Sequence, residues 1–193
     1  GLKKEIDVLF FGRINSDRKK FINFIINKGI SIKMVGEDGD FVSLEELVKL
    51  ISKSKIVLNL SKTTTKTVTN YSSESIYKFY YELKGRIVMS GLSGTFCLSQ
   101  YSPGQDLLFN TNEFPTFYTK DECCEILNKL LNNVELLEQY TNKFCKKIYD
   151  LYEEKRNFEP IFHAIAQTSN RKVELVKIPY WYLRIAAKQI IKR

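Results

Sequence analysis

The sequence has little material for a metal site built from cysteine and histidine. Its 193 residues include one histidine, His163, and four cysteines. Cys97, Cys123, Cys124 and Cys145 show no C-x-x-C spacing. A structural zinc site needs four such ligands, usually in closely spaced pairs. We therefore expect four reduced thiols and no metal, and we interpret His163 as a helix or packing residue, not as a catalyst.

Long hydrophobic runs are also missing. No stretch approaches the roughly 18 consecutive apolar residues that a membrane-spanning helix needs. The N-terminal GLKKEIDVLF lacks the long apolar core of a secretory signal. We therefore expect a cytoplasmic protein. The chain begins with Gly1 rather than Met, and we expect it to be a segment of a longer protein.

Acidic residues are outnumbered, and the imbalance is concentrated at the C-terminus. The net charge is +8, and residues 171–193 hold seven Lys/Arg and one Glu, a net +6 that leaves +2 for the first 170 residues. A nucleic-acid footprint would run across the folded surface, so we expect no nucleic-acid partner. A helix from Tyr180 would align Arg184, Lys188 and Lys192 beside apolar residues. This pattern is typical of a helix lying on anionic lipid, here the inner face of a membrane, or of one docked on another domain.

Short apolar runs alternate with amphipathic helical patterns along the first 152 residues. This alternation predicts an α/β fold, a Rossmann-like doubly wound parallel sheet over 1–152, followed by a basic, amphipathic helical extension over 153–193. The predicted strands are 6–11, 30–35, 55–61, 95–100 and 115–119. The predicted helices begin after Asn15 or Ser16, after Ser43, at about Ile76, after Asp121 as the cap, and at Val134, and the last two run to about Leu131 and Tyr152.

Ligands bind such sheets at the carboxyl ends of the strands, where three loops follow predicted strands: GRINSDRK, LSKTTTK and LSQYSPGQD. In the first loop, Gly12 allows close backbone approach, and Arg13 and Lys19 bracket the turn before a helix N-terminus. This chemistry suits a diphosphate. Alternatively, residues 18–20 form a solvated first helical turn, and the spacing alone leaves both interpretations open.

A second basic cluster lies in ELKGRIVMSGLSGTFCLSQYSPGQDLLF, which has no acidic residue between Glu82 and Asp106. Lys84 and Arg86 fall inside the helix that we predict from about Ile76 to Met89. They would be either ligand contacts or part of an exposed helical face. The glycine between them costs about 1 kcal/mol in a helix relative to alanine, which indicates a packing or close-approach requirement.

These segments together resemble a known family. The order DVLFFGRINSDRKKFINFI, SKSKIVLNL, ELKGRIVMSGLSGTFCLSQYSPGQDLLFNTNEF and DECCEILNKLLNN is similar to the C-terminal, donor-binding half of GT-B glycosyltransferases. The likeness is to the glycosyl transferase family 1 group related to spore maturation protein CgeB, and it covers roughly residues 5–152. The resemblance implies a domain that binds a nucleotide-diphosphate sugar, with the acceptor held by an N-terminal domain that this chain lacks.

The resemblance also implies roles for individual residues. Arg13 and Lys19 would contact the donor diphosphate, Arg86 matches a family arginine, and 99–104 matches the loop that wraps the sugar and phosphates. The complete predicted donor-binding set is Gly12, Arg13, Lys19, Asn59, Lys84, Arg86, Ser99, Gln100, Tyr101, Gly104 and Glu113. No metal or other cofactor is implied, because cations and a helix N-terminus take its place. The general base would belong to the missing half, so no catalytic residue is named.

One residue departs from the family pattern. Met89 stands where the family usually carries a glutamate that accepts hydrogen bonds from the ribose, and a thioether cannot do so. Either Glu82 or Glu113 holds the ribose, or nucleotide affinity is weakened or lost. The predicted function is a glycosyltransferase domain for glycan or glycoconjugate assembly, for example in polysaccharide biosynthesis. The alternative is a non-catalytic module of the same fold, serving interaction or membrane recruitment.

Overall fold

A computed structural model describes residues 3–37, 41–62, 81–110 and 112–168 of the chain. Its contacts divide the chain into two units, Gly1–Glu153 and Glu154–Arg193. The part of the predicted loop LSKTTTK that follows Lys62 and the basic segment 171–193 lie outside the described residues. So does the part of the predicted third helix that precedes Tyr81.

The first unit is built on a five-stranded parallel sheet. The strands are β1 (Ile6–Phe11), β2 (Ile32–Val35), β3 (Ser54–Asn59), β4 (Phe96–Gln100) and β5 (Thr116–Phe117). Their order is β2-β1-β3-β4-β5, and every neighbouring pair is parallel. The chain moves from β1 to β2 on one side and then crosses back to β3 on the other. The predicted doubly wound α/β fold is therefore confirmed.

The central strands are nearly continuous apolar runs because both of their faces are covered. In β1, Val8, Leu9 and Phe10 are fully buried, and Leu9 is in register with Val57 of β3. β4 is buried along its whole length. The alternation of short apolar runs with helices thus predicted both ends of every one of these strands to within two residues.

Within the described residues, five helices connect or follow the strands: α1 (Ser16–Asn27), α2 (Leu44–Ser52), α3 (Arg86–Leu92), α4 (Lys120–Leu131) and α5 (Val134–Tyr152). The side chains of Asn15 and Ser43 cap α1 and α2, as predicted. The predicted cap of α4 is wrong, because Thr119, not Asp121, accepts from the N–H of Glu122, whose carboxylate returns the bond in a capping box.

The predicted boundaries of α3 are also wrong. Residues 82–84 are not helical, and α3 begins only at Arg86, directly after Gly85. The preceding segment is held beside the end of β3 by an antiparallel bridge between Lys62 and Tyr81 and by a bond from the N–H of Glu82 to the carbonyl of Ser61. Lys84 therefore precedes the helix and Arg86 opens it.

The first unit closes its core with aromatic rings and one close helix contact. Phe96 of β4 packs edge-on against Phe144 of α5 at 5.4 Å between ring centroids and stacks on Tyr140 at 5.9 Å. A Cβ at Gly91 of α3 would lie 2.6 Å from Cγ1 of Ile148. The absence of a side chain at Gly91 thus lets α3 lie directly against α5.

The described part of the second unit is one helix, α6 (Glu154–Thr168), with Pro160 inside it. Four large apolar residues of this helix are about half exposed or more: Phe158, Ile161, Phe162 and Ile165. His163 is also exposed on this helix. Across the described residues, no helix combines the length and the apolar character needed to cross a bilayer.

Candidate functional site

The carboxyl ends of β1, β3 and β4 meet at one edge of the sheet, as the three predicted loops require. The strand order reverses between β1 and β3, since β1 connects outward to β2 while β3 leads toward β4. In open α/β sheets, ligands bind in the crevice outside such a reversal. The side chains at this edge are therefore the candidates for a functional site.

Arg86 fills the centre of this edge. Its Nε donates to the carbonyl oxygen of Phe11 at the end of β1, and its Nη1 donates to Oδ1 of Asn59 at the end of β3, at 3.1 Å. The guanidinium also lies 5.0 Å from the centroid of the Phe10 ring. Arg86 thus ties the two strands together across the point where the sheet reverses.

The close approach of Arg86 explains why residue 12 is a glycine. Its φ of 113° lies in the region that favours glycine, and a Cβ there would lie 2.3 Å from Nη2 of Arg86. Burial lowers the pKa of Arg86 to about 10, and the nearby charge of Arg18 contributes to the lowering. The side chain stays cationic at neutral pH, and two oxygen acceptors and an aromatic face compensate its buried charge.

A buried polar network continues from Arg86 to β4. The amide Nδ2 of Asn59 donates to Oγ of Ser99 at 2.8 Å and to Oγ of Ser61 at 3.2 Å. Ser61 and Ser99 both donate to the carbonyl oxygen of Gln100. Asn59, Ser61, Ser99 and Gln100 are each at most 7% exposed. Five predicted site residues, Gly12, Asn59, Arg86, Ser99 and Gln100, are therefore brought together, with their polar groups largely used by one another.

Next to this network lies a cavity of about 320 Å³, the Arg18 cavity. Arg18 and Lys62 bring positive charge to its wall, and Asp17 is the acidic residue there. Its lining is Asp17, Arg18, Phe21, Leu60, Lys62, Tyr81, Gln100 and Tyr118. The backbone N–H of Lys62 donates to Oε1 of Gln100 at 3.3 Å, which joins the cavity wall to the buried network.

Arg18 reaches this cavity because of its place in α1. Asn15 caps the helix by accepting from the N–H of Arg18 at 2.9 Å, so Arg18 is the third residue of the first turn. A side chain at that position turns back over the helix N-terminus. Arg18 accordingly donates to the carbonyl oxygen of Arg13 at 2.8 Å and to that of Lys62 at 3.4 Å.

Two donor atoms at this N-terminus lack a partner within the described residues. Nε of Arg18 and Nδ2 of Asn15 are both buried, and neither has a hydrogen-bond acceptor there. Burial lowers the pKa of Arg18, the nearby Glu82 carboxylate raises it, and Arg13 lowers it. A buried guanidinium N–H without an acceptor is costly, and an anion at the helix N-terminus would satisfy it.

The structure places the other predicted basic residues differently. The side chain of Arg13 is exposed. Lys19 forms an ion pair with Glu37 at 2.6 Å and is not among the residues lining the Arg18 cavity. Lys84 pairs with Glu82 at 2.8 Å. Arg18, which is not in the predicted donor-binding set, is thus the basic residue of this helix that lines the cavity, and the spacing Asn15-x-x-Arg18 is the signal that indicates it.

The remaining predicted residues lie beyond the network. Tyr101 lines a second cavity, where its hydroxyl donates to Oδ2 of Asp106 at 2.6 Å. Gly104 lies in a short 3-10 helix, Pro103–Leu107, and a Cβ there would meet Leu83 at 3.3 Å. Glu113 accepts from the backbone N–H of Asn110 at 3.1 Å and lies 3.7 Å from Nζ of Lys147.

Met89 is half-buried in α3 and packs against the hydrophobic core. It is not among the residues that line the Arg18 cavity. Within the described residues, no group of three or more His, Cys, Asp or Glu side chains is arranged to hold a metal ion.

Comparison with known proteins gives one family match and similar solved structures. A family model described as glycosyl transferase-like matches residues 17–161, more than half of the chain. No curated protein sequence matches significantly. Among solved structures, a mutant of S. aureus TarM in complex with fondaparinux, alpha-GlcNAc-glycerol and UDP matches with a TM-score of 0.53 at 13% identity. This match covers 84% of the chain and 36% of TarM.

An alpha1,3-fucosyltransferase matches with a TM-score of 0.49 at 18% identity, over 76% of the chain and 37% of that enzyme. The chain thus spans little more than a third of the length of either solved structure. The likeness to TarM concerns the fold, the Rossmann-like arrangement found in GT-B glycosyltransferases.

Proposed function

Because the chain belongs to the glycosyl transferase-like family, we propose that it is the donor-binding domain of a glycosyltransferase and holds the diphosphate of a nucleotide sugar in the Arg18 cavity. The observation that carries this proposal is the buried Nε of Arg18, which lacks an acceptor within the described residues at the N-terminus of α1. The complex of TarM with UDP is consistent with a nucleotide-linked donor.

The residues proposed here to contact the diphosphate differ from those expected from the sequence. Arg18 and Lys62 contact the phosphates, and the N-terminus of α1 adds its dipole. Arg86 and Asn59 do not contact the phosphates themselves. They fix the ends of β1 and β3, on which the cavity is built. In the reaction, the cations offset the charge that develops on the leaving diphosphate.

We place the acceptor and the general base on the remainder of a longer protein, since the chain covers 36% of TarM. The reaction is displacement at the anomeric carbon of the donor sugar without a metal ion, because side-chain cations supply the positive charge. Whether donor binding needs a metal ion can be tested directly. Nucleotide affinity measured with and without EDTA should be the same, and a loss of affinity with EDTA contradicts it.

The donor site is tested by ligand-observed NMR with UDP, GDP, dTDP, CDP and ADP. One of them should bind, and Arg18→Ala should weaken that binding by about 10–100-fold, the effect of losing a hydrogen bond to a charged group. Lys20→Ala is the matched control, because Lys20 is an exposed cation of the same helix turn that does not line the cavity. It should bind as the parent chain does.

Two results would overturn the proposal: no binding of any nucleotide, or equal binding by the parent chain and Arg18→Ala. The first result would favour the alternative function, a non-catalytic module of the same fold, and Met89 in place of the usual glutamate would then be its sequence signature. The proposed membrane contact rests on residues 171–193, and a vesicle-binding assay with and without that segment tests it separately.

A further inference from the structure

A second cavity, of about 360 Å³, lies beyond the end of β4 and is called here the aromatic cavity. The rings of Tyr101, Phe109, Phe114, Tyr118 and Tyr140 line it. Tyr101 and Tyr118 are stacked on each other at 5.0 Å between centroids. The volume is at the lower end of the roughly 300–1,000 Å³ typical of ligand pockets, so the cavity suits a unit the size of one ring.

Amides and one carboxylate supply the polar part of this wall. Gln105, Asn110, Asn112 and Asp106 line the cavity, and no lysine or arginine does so within the described residues. Each amide offers both donors and an acceptor, while the carboxylate accepts only. This combination matches the alternating hydroxyl groups and apolar C–H faces of a neutral sugar. It does not suit a phosphate, which the Asp106 carboxylate would repel.

One buried group at this cavity lacks a partner. Gln105 is 6% exposed, and its Oε1 has no hydrogen-bond partner within the described residues. An unsatisfied buried acceptor destabilises a folded protein, so a ligand hydroxyl that donates to it would gain more than at a solvated site. A site built around such a group also discriminates strongly against ligands that lack the hydroxyl.

We infer that the aromatic cavity binds a neutral sugar unit of a glycan, at a place separate from the phosphate contacts of the Arg18 cavity. Tyr118 lines both cavities, so a glycan held here would lie next to the proposed donor site. This inference goes beyond the proposed function, because a chain that binds no nucleotide would still hold the sugar.

The test is saturation-transfer NMR on the whole chain with the methyl glycosides of glucose, galactose, mannose and N-acetylglucosamine. At least one of them should receive saturation, whereas adenine and uracil should not. Gln105→Leu removes the orphan acceptor at similar volume and should weaken sugar binding about tenfold. Asn110→Ala, at an exposed lining residue that does not depend on core packing, should also weaken it. Asn128→Ala, on the exposed surface of α4, is the matched control and should leave it unchanged.

Further arms separate this site from the donor site. Arg18→Ala should leave glycoside binding unchanged, so a failure of the donor proposal does not affect this result. Displacement of the bound glycoside by UDP-glucose or GDP-mannose, but not by UDP or GDP, would show that the cavity belongs to the donor sugar and would overturn the inference. Saturation of the bases alone, of no probe at all, or equal binding by Asn110→Ala and the parent chain would also overturn it.

Discussion

Two neighbouring regions of the sheet edge carry positive charge, but they use it in different ways. In the buried network, Arg86 donates to Phe11 and Asn59, and Asn59 in turn donates to Ser99. In the wall of the Arg18 cavity, the guanidinium of Arg18 donates to two backbone carbonyls, and its Nε has no acceptor within the described residues.

A cation at the carboxyl edge of a parallel sheet is therefore not by itself a ligand contact. The charge of Arg86 is already compensated by protein atoms, so its main contribution is to hold β1 and β3 in place. Arg18 keeps unused hydrogen-bonding capacity next to a cavity. What separates the structural residue from the candidate ligand residue is whether its donor atoms already have acceptors within the protein, more than its charge or location.

The largest effect should come from the buried network. Arg86→Ala removes a charged donor and leaves the Phe11 carbonyl and the Asn59 amide oxygen without it, which should lower the free energy of unfolding by about 3–5 kcal/mol. Urea denaturation at neutral pH measures this value. Arg13→Ala, at an exposed side chain, is the control and should change stability by less than about 0.5 kcal/mol. Equal, small effects of the two variants would remove the structural role of Arg86.

Gly12 tests how closely the guanidinium of Arg86 is packed against the backbone. Gly12→Ala and Gly94→Ala both place a side chain at positive φ, 113° and 75°, but only Gly12 has an atom of Arg86 in the way. Gly94→Ala should cost about 1–2 kcal/mol of stability from backbone strain, and Gly12→Ala about 1–2 kcal/mol more from the displaced guanidinium.

A double-mutant cycle isolates that displacement. When Gly12→Ala is made in the Arg86→Ala chain, its cost should fall to that of Gly94→Ala, because the clashing group is gone. Additive costs would mean that the cost at Gly12 comes from its backbone φ of 113° and not from the contact with Arg86.

Much of the fold was predictable because its signals are local. The run IDVLFF is bounded by a glycine and gives β1 at its predicted limits, 6–11, and the pattern of α5 gives 134–152. The start of α3 was not predictable in this way. Residues 81–82 look compatible with a helix, but pairing of Lys62 with Tyr81, and the bond from Glu82 to Ser61, hold them beside the end of β3 instead.

The position of the site in the fold could be predicted, but the side chains that line its cavity could not. Alternating strands and helices predict parallel strands whose carboxyl ends meet at one edge, so the edge at Gly12, Asn59 and Ser99 could be predicted from the sequence. Which cation faces a cavity depends on long-range partners. Lys19 meets Glu37, while Arg18 lies within reach of the carbonyl of Lys62. The assignment of these residues to a donor stays a prediction until binding is measured.

The Arg18 wall should respond to mutation in the opposite way from the network. Arg18→Ala should change the free energy of unfolding by no more than about 1 kcal/mol, because it loses two bonds to carbonyls near the surface but also removes a buried donor that lacks an acceptor. Urea denaturation of the same variant used for nucleotide binding gives this value. A loss as large as that of Arg86→Ala would mean that the two arginines serve one structural purpose.

The smallest effect concerns Cys97, a buried thiol of β4 beneath the network. Burial raises its pKa from 9.0 to about 12, although a bond with Ser90 and the charge of Arg86 lower it. The unfolded thiol loses its proton near pH 9 while the folded one keeps it, so the unfolded state binds fewer protons and stability falls as pH rises from 9 toward 12. Between pH 7.5 and 9.5 this thiol should account for about 0.8 kcal/mol of lost stability. Urea denaturation under reducing conditions should show a shallower decline for Cys97→Ala than for the parent chain. Parallel declines would mean that the thiol ionises in the folded protein, and that water reaches the network which we describe as buried.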